Sequence, residues 1–402
     1  MPWSSRSADR AYTSVILPNL GLRAGWVSCV TLLCACGTSP SKGANGAPLD
    51  GAAPPDSGVG SLADDGSSTG PAPDASASGG GTSDGSGAEG GALDGGSDEA
   101  STGPTIGGCP MFPPAYPYNQ DISGAPLDPG SATYIANLEA HAGAIVAEYP
   151  GGEYVNVVPV SQPFVPVQTS AAYGFDTSDA FFQNGGADAS APLPGGVVYE
   201  NANTPNSDHH MMVVQQGSCR LFEFYAWNPS SPTTGWEGFV TWNLTKNEQL
   251  PDGWGSTTAA GTPLLPGVIW YGEVAAGAIP HAVDIVIPGA AIAQYEYVKP
   301  AARSGGACGS AYPADGFPYG GRVRLKATYD ASSFMGTQAL VVVAALKKYG
   351  MINTDDSGET RSSFRLGDGD KLDQTDMAQL GKLTWADFEV PAMTVVQSKA
   401  CN

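Results

Sequence analysis

Charge is scarce in this 402-residue chain: 14% of residues are Asp, Glu, Lys or Arg, and 18 basic residues stand against 39 acidic ones, a net of −21. With no cation excess to displace counterions from phosphates, nucleic-acid binding is excluded. Long apolar runs are wanting as well. The run from Ala24 to Ala35 falls short of the roughly 18 residues that a membrane span needs. The 54 glycines and 33 prolines exclude a helical bundle or coiled coil. Residues 109–402 lack a CxxC pair, a Walker loop, GxGxxG, HExxH and Ser-x-x-Lys, so redox, nucleotide and common protease or lactamase chemistries have no foothold.

What is present falls into three parts. Arg23 precedes the apolar run, which ends in Leu33-Cys34-Ala35-Cys36, and a basic flank, a short apolar core and small residues make a secretory signal over residues 1–35. Residues 36–108 follow as a tether. The stretch 37–108 holds 20 glycines, ten acids and no Phe, Tyr or Trp. Such a stretch buries too little surface to offset its ordering entropy and is expected to be disordered. Gly81-Thr82-Ser83-Asp84-Gly85 matches a hydrolase elbow, but that motif needs a strand before it and a helix after it, which this stretch does not supply.

Residues 109–402 form the globular part. Its cysteines, Cys109, Cys219, Cys308 and Cys401, are even in number, so up to two disulfides are expected, with three pairings open. Ile135, Leu138, Ala142, Ile145 and Val146 recur at helical spacing from Ser131, which is placed to cap a helix that Pro150-Gly151-Gly152 would stop. Alternation then predicts strands at 154–160, 164–169, 197–200, 210–215, 219–227, 238–244, 281–287 and 322–329. Gln216-Gly217-Ser218 predicts a hairpin turn. Helices are expected at 337–349, stopped by Gly350, and at 373–380, capped by Asp373. The fold class is therefore α+β and β-rich: an antiparallel sandwich-like or barrel-like core with a few flanking helices.

Two resemblances add to this reading. Leu33-Cys34-Ala35-Cys36 resembles a bacterial lipobox, which implies cleavage before Cys36, lipidation of its thiol, and an exported protein lipid-anchored at the outer membrane or cell surface. The blocks Asp208-His209-His210-Met211, Cys219-Arg220-Leu221-Phe222-Glu223-Phe224-Tyr225, Pro266-Gly267-Val268, Tyr271-Gly272-Glu273-Val274 through His281-Ala282, Arg322-Val323-Arg324-Leu325-Lys326-Ala327 and Ala345-Leu346-Lys347-Lys348-Tyr349-Gly350 are similar to a group of exported actinobacterial and myxobacterial proteins. Some of that group carry carbohydrate-binding modules, and no activity is assigned to it. Where the group usually has Asp-Arg-His, this chain has Asp208-His209-His210.

Chemistry-bearing residues concentrate in those blocks. Glu223 interrupts an apolar strand, where a carboxylate is costly unless it is partnered or functional. Glu273 is expected in a turn. Glycosidases need two carboxyl groups across a cleft, so Glu223, as proton donor, and Glu273 are the catalytic candidates. Asp208, His210 and His281 would orient them. A buried hydrogen-bond network is the competing reading for these groups. Trp227, Trp236, Trp242, Trp254 and Trp270 crowd one segment and would offer stacking faces to sugar rings, or else fill the core. His209, His210, Glu223 and His281 could ligate a transition metal, but adjacent histidines on a strand face opposite ways. Asp368, Asp370, Asp373 and Asp376 lack EF-hand spacing. No metal or other cofactor is therefore expected. The leading expectation is a surface lipoprotein with a glycoside hydrolase-like domain acting on extracellular polysaccharide. The alternative is a non-catalytic module that binds glycan or cell-wall polymer. Its contact with the membrane is through the lipid anchor only, and no nucleic acid is involved.

Overall fold

The computed structural model describes residues between Gly103 and Gln397, apart from 148–151, 170–188, 205–206, 229, 231–233, 237, 306–311 and 334. The chain divides into two units, Met1–Ala92 and Leu93–Asn402, and every described residue belongs to the second. The leader, most of the tether, Cys36, Cys308 and Cys401 lie outside the described residues. Among the described residues no helix is long and apolar enough to cross a membrane.

The fold is α+β and β-rich, as expected. Ten strands build its two larger sheets: β1 (Ile145–Val146), β2 (Val155–Val158), β3 (Met211–Gln215), β4 (Arg220–Tyr225), β5 (Gly238–Asn243), β6 (Val283–Pro288), β7 (Arg322–Leu325), β8 (Met351–Ser357), β9 (Ser362–Phe364) and β10 (Phe388–Glu389). One sheet runs β5-β4-β3-β2 and the other β10-β7-β8-β6-β9-β1. Neither is purely antiparallel. The pairs β2–β3, β6–β8 and β9–β1 are parallel, each joined by a long excursion rather than a hairpin.

Local sequence explains most elements. The β3–β4 hairpin turns at Gly217, whose φ of +79° is the left-handed conformation that glycine adopts without strain. Among the described residues, four α-helices flank the sheets: α1 (Ser131–His141), α2 (Tyr271–Ala276), α3 (Thr337–Lys348) and α4 (Gln374–Met377). In α3, Ala339, Val342, Val343 and Leu346 are buried and Gly350 follows its end at φ +73°. Asp373 caps α4 by accepting from the Thr375 and Asp376 amides.

Three expectations are corrected. Helix α1 stops at His141 although its apolar period continues, and Ile145 and Val146 form β1 instead. Gly143 makes the break, at φ +63°, and a Cβ there would collide with the Thr360 carbonyl. Ser131 begins α1 as a helical residue rather than capping it, and its hydroxyl accepts from the Val390 amide. Residues 197–200 form no strand; the Asn156 side chain clasps Val198 through both its backbone groups.

The first sheet has a core on each face. Strand β4 turns Phe222 and Phe224 toward Met211, Val213, Phe239 and Trp227. It turns Leu221 and Glu223 the other way, beside Met212, Val214, Val240 and Trp242. Each such buried apolar side chain is worth about 1.5–3 kcal/mol. The second face is roofed by the 109–118 segment and by the loop before α2, which supply Phe112, Tyr116, Leu264 and Leu265. A Cys109–Cys219 disulfide fastens that segment to the β3–β4 hairpin across 110 residues. Replacing both cysteines by serine is expected to cost about 2–5 kcal/mol in denaturant unfolding; unchanged stability would refute the pairing.

Candidate functional site

The sequence candidates part company in three dimensions. Glu223 is fully buried, at 0% exposure, and both its oxygens are taken. Oε1 accepts from the Leu264 and Leu265 amides at 2.9 and 3.0 Å. Oε2 accepts from Trp242 Nε1 at 2.9 Å and Thr257 Oγ1 at 3.2 Å. Burial raises its pKa to about 7, against the pull of these four donors. A carboxylate so placed anchors the 256–265 loop onto β4; it cannot reach a substrate.

Glu273 lies on α2, not in a turn, and its Oε2 meets His281 Nε2 at 2.9 Å. His281 is itself at 0% exposure, with Nδ1 on the Ala282 carbonyl. Burial works against its charged form, but the Glu273 carboxylate outweighs that and its pKa is raised. Glu273 lines a cavity of about 480 Å³ with Trp270, Asp368 and Val155. Glu223 is sealed away from it, so the two acids do not form a glycosidase pair.

The indole row is also corrected. Trp227 and Trp242 are core residues, and Trp270 is 4% exposed with its Nε1 donated to the Leu265 carbonyl. Trp254 packs half-buried against the core. For Trp236 only the backbone, in a short strand Thr234–Trp236, is among the described residues. Asp208 accepts a long hydrogen bond from the Tyr225 hydroxyl at 3.4 Å and stands at the surface. Of the acids in the 368–376 cluster, Asp373 caps α4 and Asp376 accepts from the Gln338 amide at the start of α3.

His210 is different. Its ring is wedged between two oxygens: Nδ1 faces Glu200 Oε2 at 2.8 Å and Nε2 faces the Thr257 carbonyl at 2.9 Å. Both contacts are met at once by an imidazolium. Burial opposes that charge, yet the Glu200 and Glu153 carboxylates raise the pKa to about 10. For Glu200, burial is outweighed in turn by His210 and Arg365, and its pKa falls to about 2. Thr257 belongs to both systems, because its hydroxyl bonds Glu223 while its carbonyl holds His210. Glu223 is thus one residue removed from the site that His210 occupies.

Four residues that the sequence did not single out complete this site. Glu153, just before β2, is tied to the strand after β9: its amide donates to the Leu366 carbonyl and its own carbonyl accepts from the Asp368 amide. Arg365, the link between β9 and that short strand (Leu366–Gly367), forks, Nη1 to Glu153 Oε1 at 2.9 Å and Nη2 to Asp355 Oδ2, from β8, at 2.7 Å. Glu200 arrives on the 197–204 loop. Burial raises Glu153 to about 7 and Asp355 to about 6, while Asp355 and Glu153 overcome the burial of Arg365 and hold it firmly charged. Glu153 and Glu200 open onto a cavity of about 210 Å³ walled also by Asn201, Ser363, Arg361 and Arg365.

The role of Glu223 yields a pH test. Its folded pKa, about 7, lies above its ordinary value of 4.5. Between those values the folded chain holds more protons than the unfolded one, so this group's stabilisation is complete below about 4.5 and is lost as pH rises through 7. Glu223→Gln removes that dependence, and its amide nitrogen cannot accept from Trp242 and Thr257, a loss of about 1–3 kcal/mol. Urea unfolding at pH 5 and 8 should therefore show a less stable variant with a smaller difference between the two pH values than wild type; an equal difference would contradict the assignment. No protein-family model, curated protein or solved structure matches this chain.

Proposed function

We propose that the chain is an exported, lipid-anchored surface protein whose globular domain binds an extracellular polysaccharide or cell-wall glycan in the Glu153–Glu200–Arg365 cavity. The observation that carries this reading is the lining of that cavity. The carboxylates of Glu153 and Glu200 share that lining with the guanidinium groups of Arg361 and Arg365 and with Asn201 and Ser363. Such mixed, fixed partners match the paired donor and acceptor character of sugar hydroxyls. The glycan class is supported by the sequence resemblance to a group of exported proteins, some of which carry carbohydrate-binding modules, and the export and anchor by the leader and its resemblance to a lipobox.

Binding is preferred over hydrolysis because the two acids nominated for catalysis are engaged elsewhere, one sealed and one paired with His281. The test is retention of the mature protein on a panel of insoluble polysaccharides, alongside an assay of reducing-end release. Wild type should be retained by at least one polymer without releasing ends. Ser363→Trp, which fills the cavity from β9, should weaken retention at least about tenfold, roughly 1.4 kcal/mol, while leaving the melting curve intact. Release of reducing ends would overturn the non-catalytic reading in favour of hydrolysis. Retention unaffected by Ser363→Trp would remove the cavity from the account.

A further inference from the structure

One oxygen in the cavity is unaccounted for. Glu153 is 2% exposed, and its Oε2 has no hydrogen-bond partner among the described residues. A buried carboxylate oxygen left so costs free energy unless a cation or proton meets it. Next to it stand Glu200 and His210, and one ligand atom from each of the three lies within 4.8 Å of the others. These residues come from three separated segments, so no local turn has simply gathered them.

We propose that Glu153, Glu200 and His210 form a binding site for a divalent first-row metal ion of the zinc class. It rests on reading this cavity as the working site, but not on the ligand being a glycan.

Three features of the arrangement support the assignment. First, the donor set is one imidazole and two carboxylates, a nitrogen–oxygen set that suits zinc and its neighbours rather than calcium or magnesium. Second, the imidazole is already oriented. Nε2–H donated to the Thr257 carbonyl leaves Nδ1 aimed at Glu200, and ligating histidines are typically fixed by this outer hydrogen bond. Third, the charges fit. Three acids, Glu153, Glu200 and Asp355, stand around the single guanidinium of Arg365, and a divalent ion would take the place of the His210 Nδ1 proton beside Glu200 Oε2. Arg365 bonds Glu153 Oε1 and Asp355 Oδ2 through Nη1 and Nη2, and its remaining nitrogen, Nε, makes no hydrogen bond to Glu153 Oε2. Three protein ligands leave a fourth position open, on the side of the cavity, where a hydroxyl or carboxylate of the bound molecule would complete the sphere.

The experiment uses the full mature chain, stripped with chelator and then dialysed against zinc, with cobalt(II) as a spectroscopic probe and calcium as a hard-cation control. One zinc per chain is expected, with visible cobalt bands of a low-coordinate site and no comparable calcium uptake. Glu153→Gln, which keeps the side chain's shape, and Glu200→Gln should each weaken zinc binding more than about 100-fold, beyond what loss of an outer partner brings. His210→Gln is the third arm, accompanied by a melting curve. Failure to retain zinc, or zinc held equally by wild type and Glu153→Gln, would overturn the site. Polysaccharide retention without zinc binding sinks the metal alone; zinc binding without retention on any polymer sinks the glycan reading alone.

Discussion

The imidazole of His210, clamped between a carboxylate and a backbone carbonyl, is the contact on which the cavity depends. One side of it is Glu200 on a loop, and the other is Thr257 on the roof of the second core. Neither wall of the cavity is a continuous element. The loop 197–204 is held by the Asn156–Val198 clasp and by His210, and the opposite wall by Arg365 reaching to Glu153 and Asp355. Without the charge on the ring or an ion in its place, Glu200 would lie close to the buried Glu153 with only Arg365, which pairs with Glu153, to offset the two carboxylates.

Glu223 sets that contact from behind. It takes four hydrogen bonds from the loop and from Trp242, and through Thr257 it fixes the height of the carbonyl that His210 meets. A chain of this kind transmits position rather than chemistry. It accounts for a carboxylate in the middle of an otherwise apolar strand: the loop amides at 264 and 265 need an acceptor where no strand can pair with them.

Elements governed by local pattern were legible in the sequence. The β3–β4 hairpin follows from two apolar runs around Gly217, and α3 from buried residues three and four apart ending at Gly350. Ile145 and Val146 misled because the helical period runs on through them, while the break is set by Gly143 pressed against Thr360, a contact 217 residues distant in the chain. His210 stands out through the Asp208-His209-His210 block that carries the resemblance, and Glu223 as a carboxylate in an apolar strand. Arg365, between Phe364 and Leu366, shows the same signal and would have been found by the same criterion. Glu153, Glu200 and Asp355 give none, because each looks like a surface acid until the parallel bridge at Gly367 and the turn of β8 bring them to one place. The indoles were legible as a cluster but not as core; alternation on β5 decides that Trp242 faces inward with Val240.

The central claim is that His210, in the metal-free chain, is a cation held by both neighbours. Nitrogen-15 NMR of the imidazole in chelator-treated protein at pH 8 reads this directly. Both ring nitrogens should carry protons there, since the ring's pKa stands at about 10. A neutral ring at pH 8, titrating near its ordinary 6.5, would contradict the account.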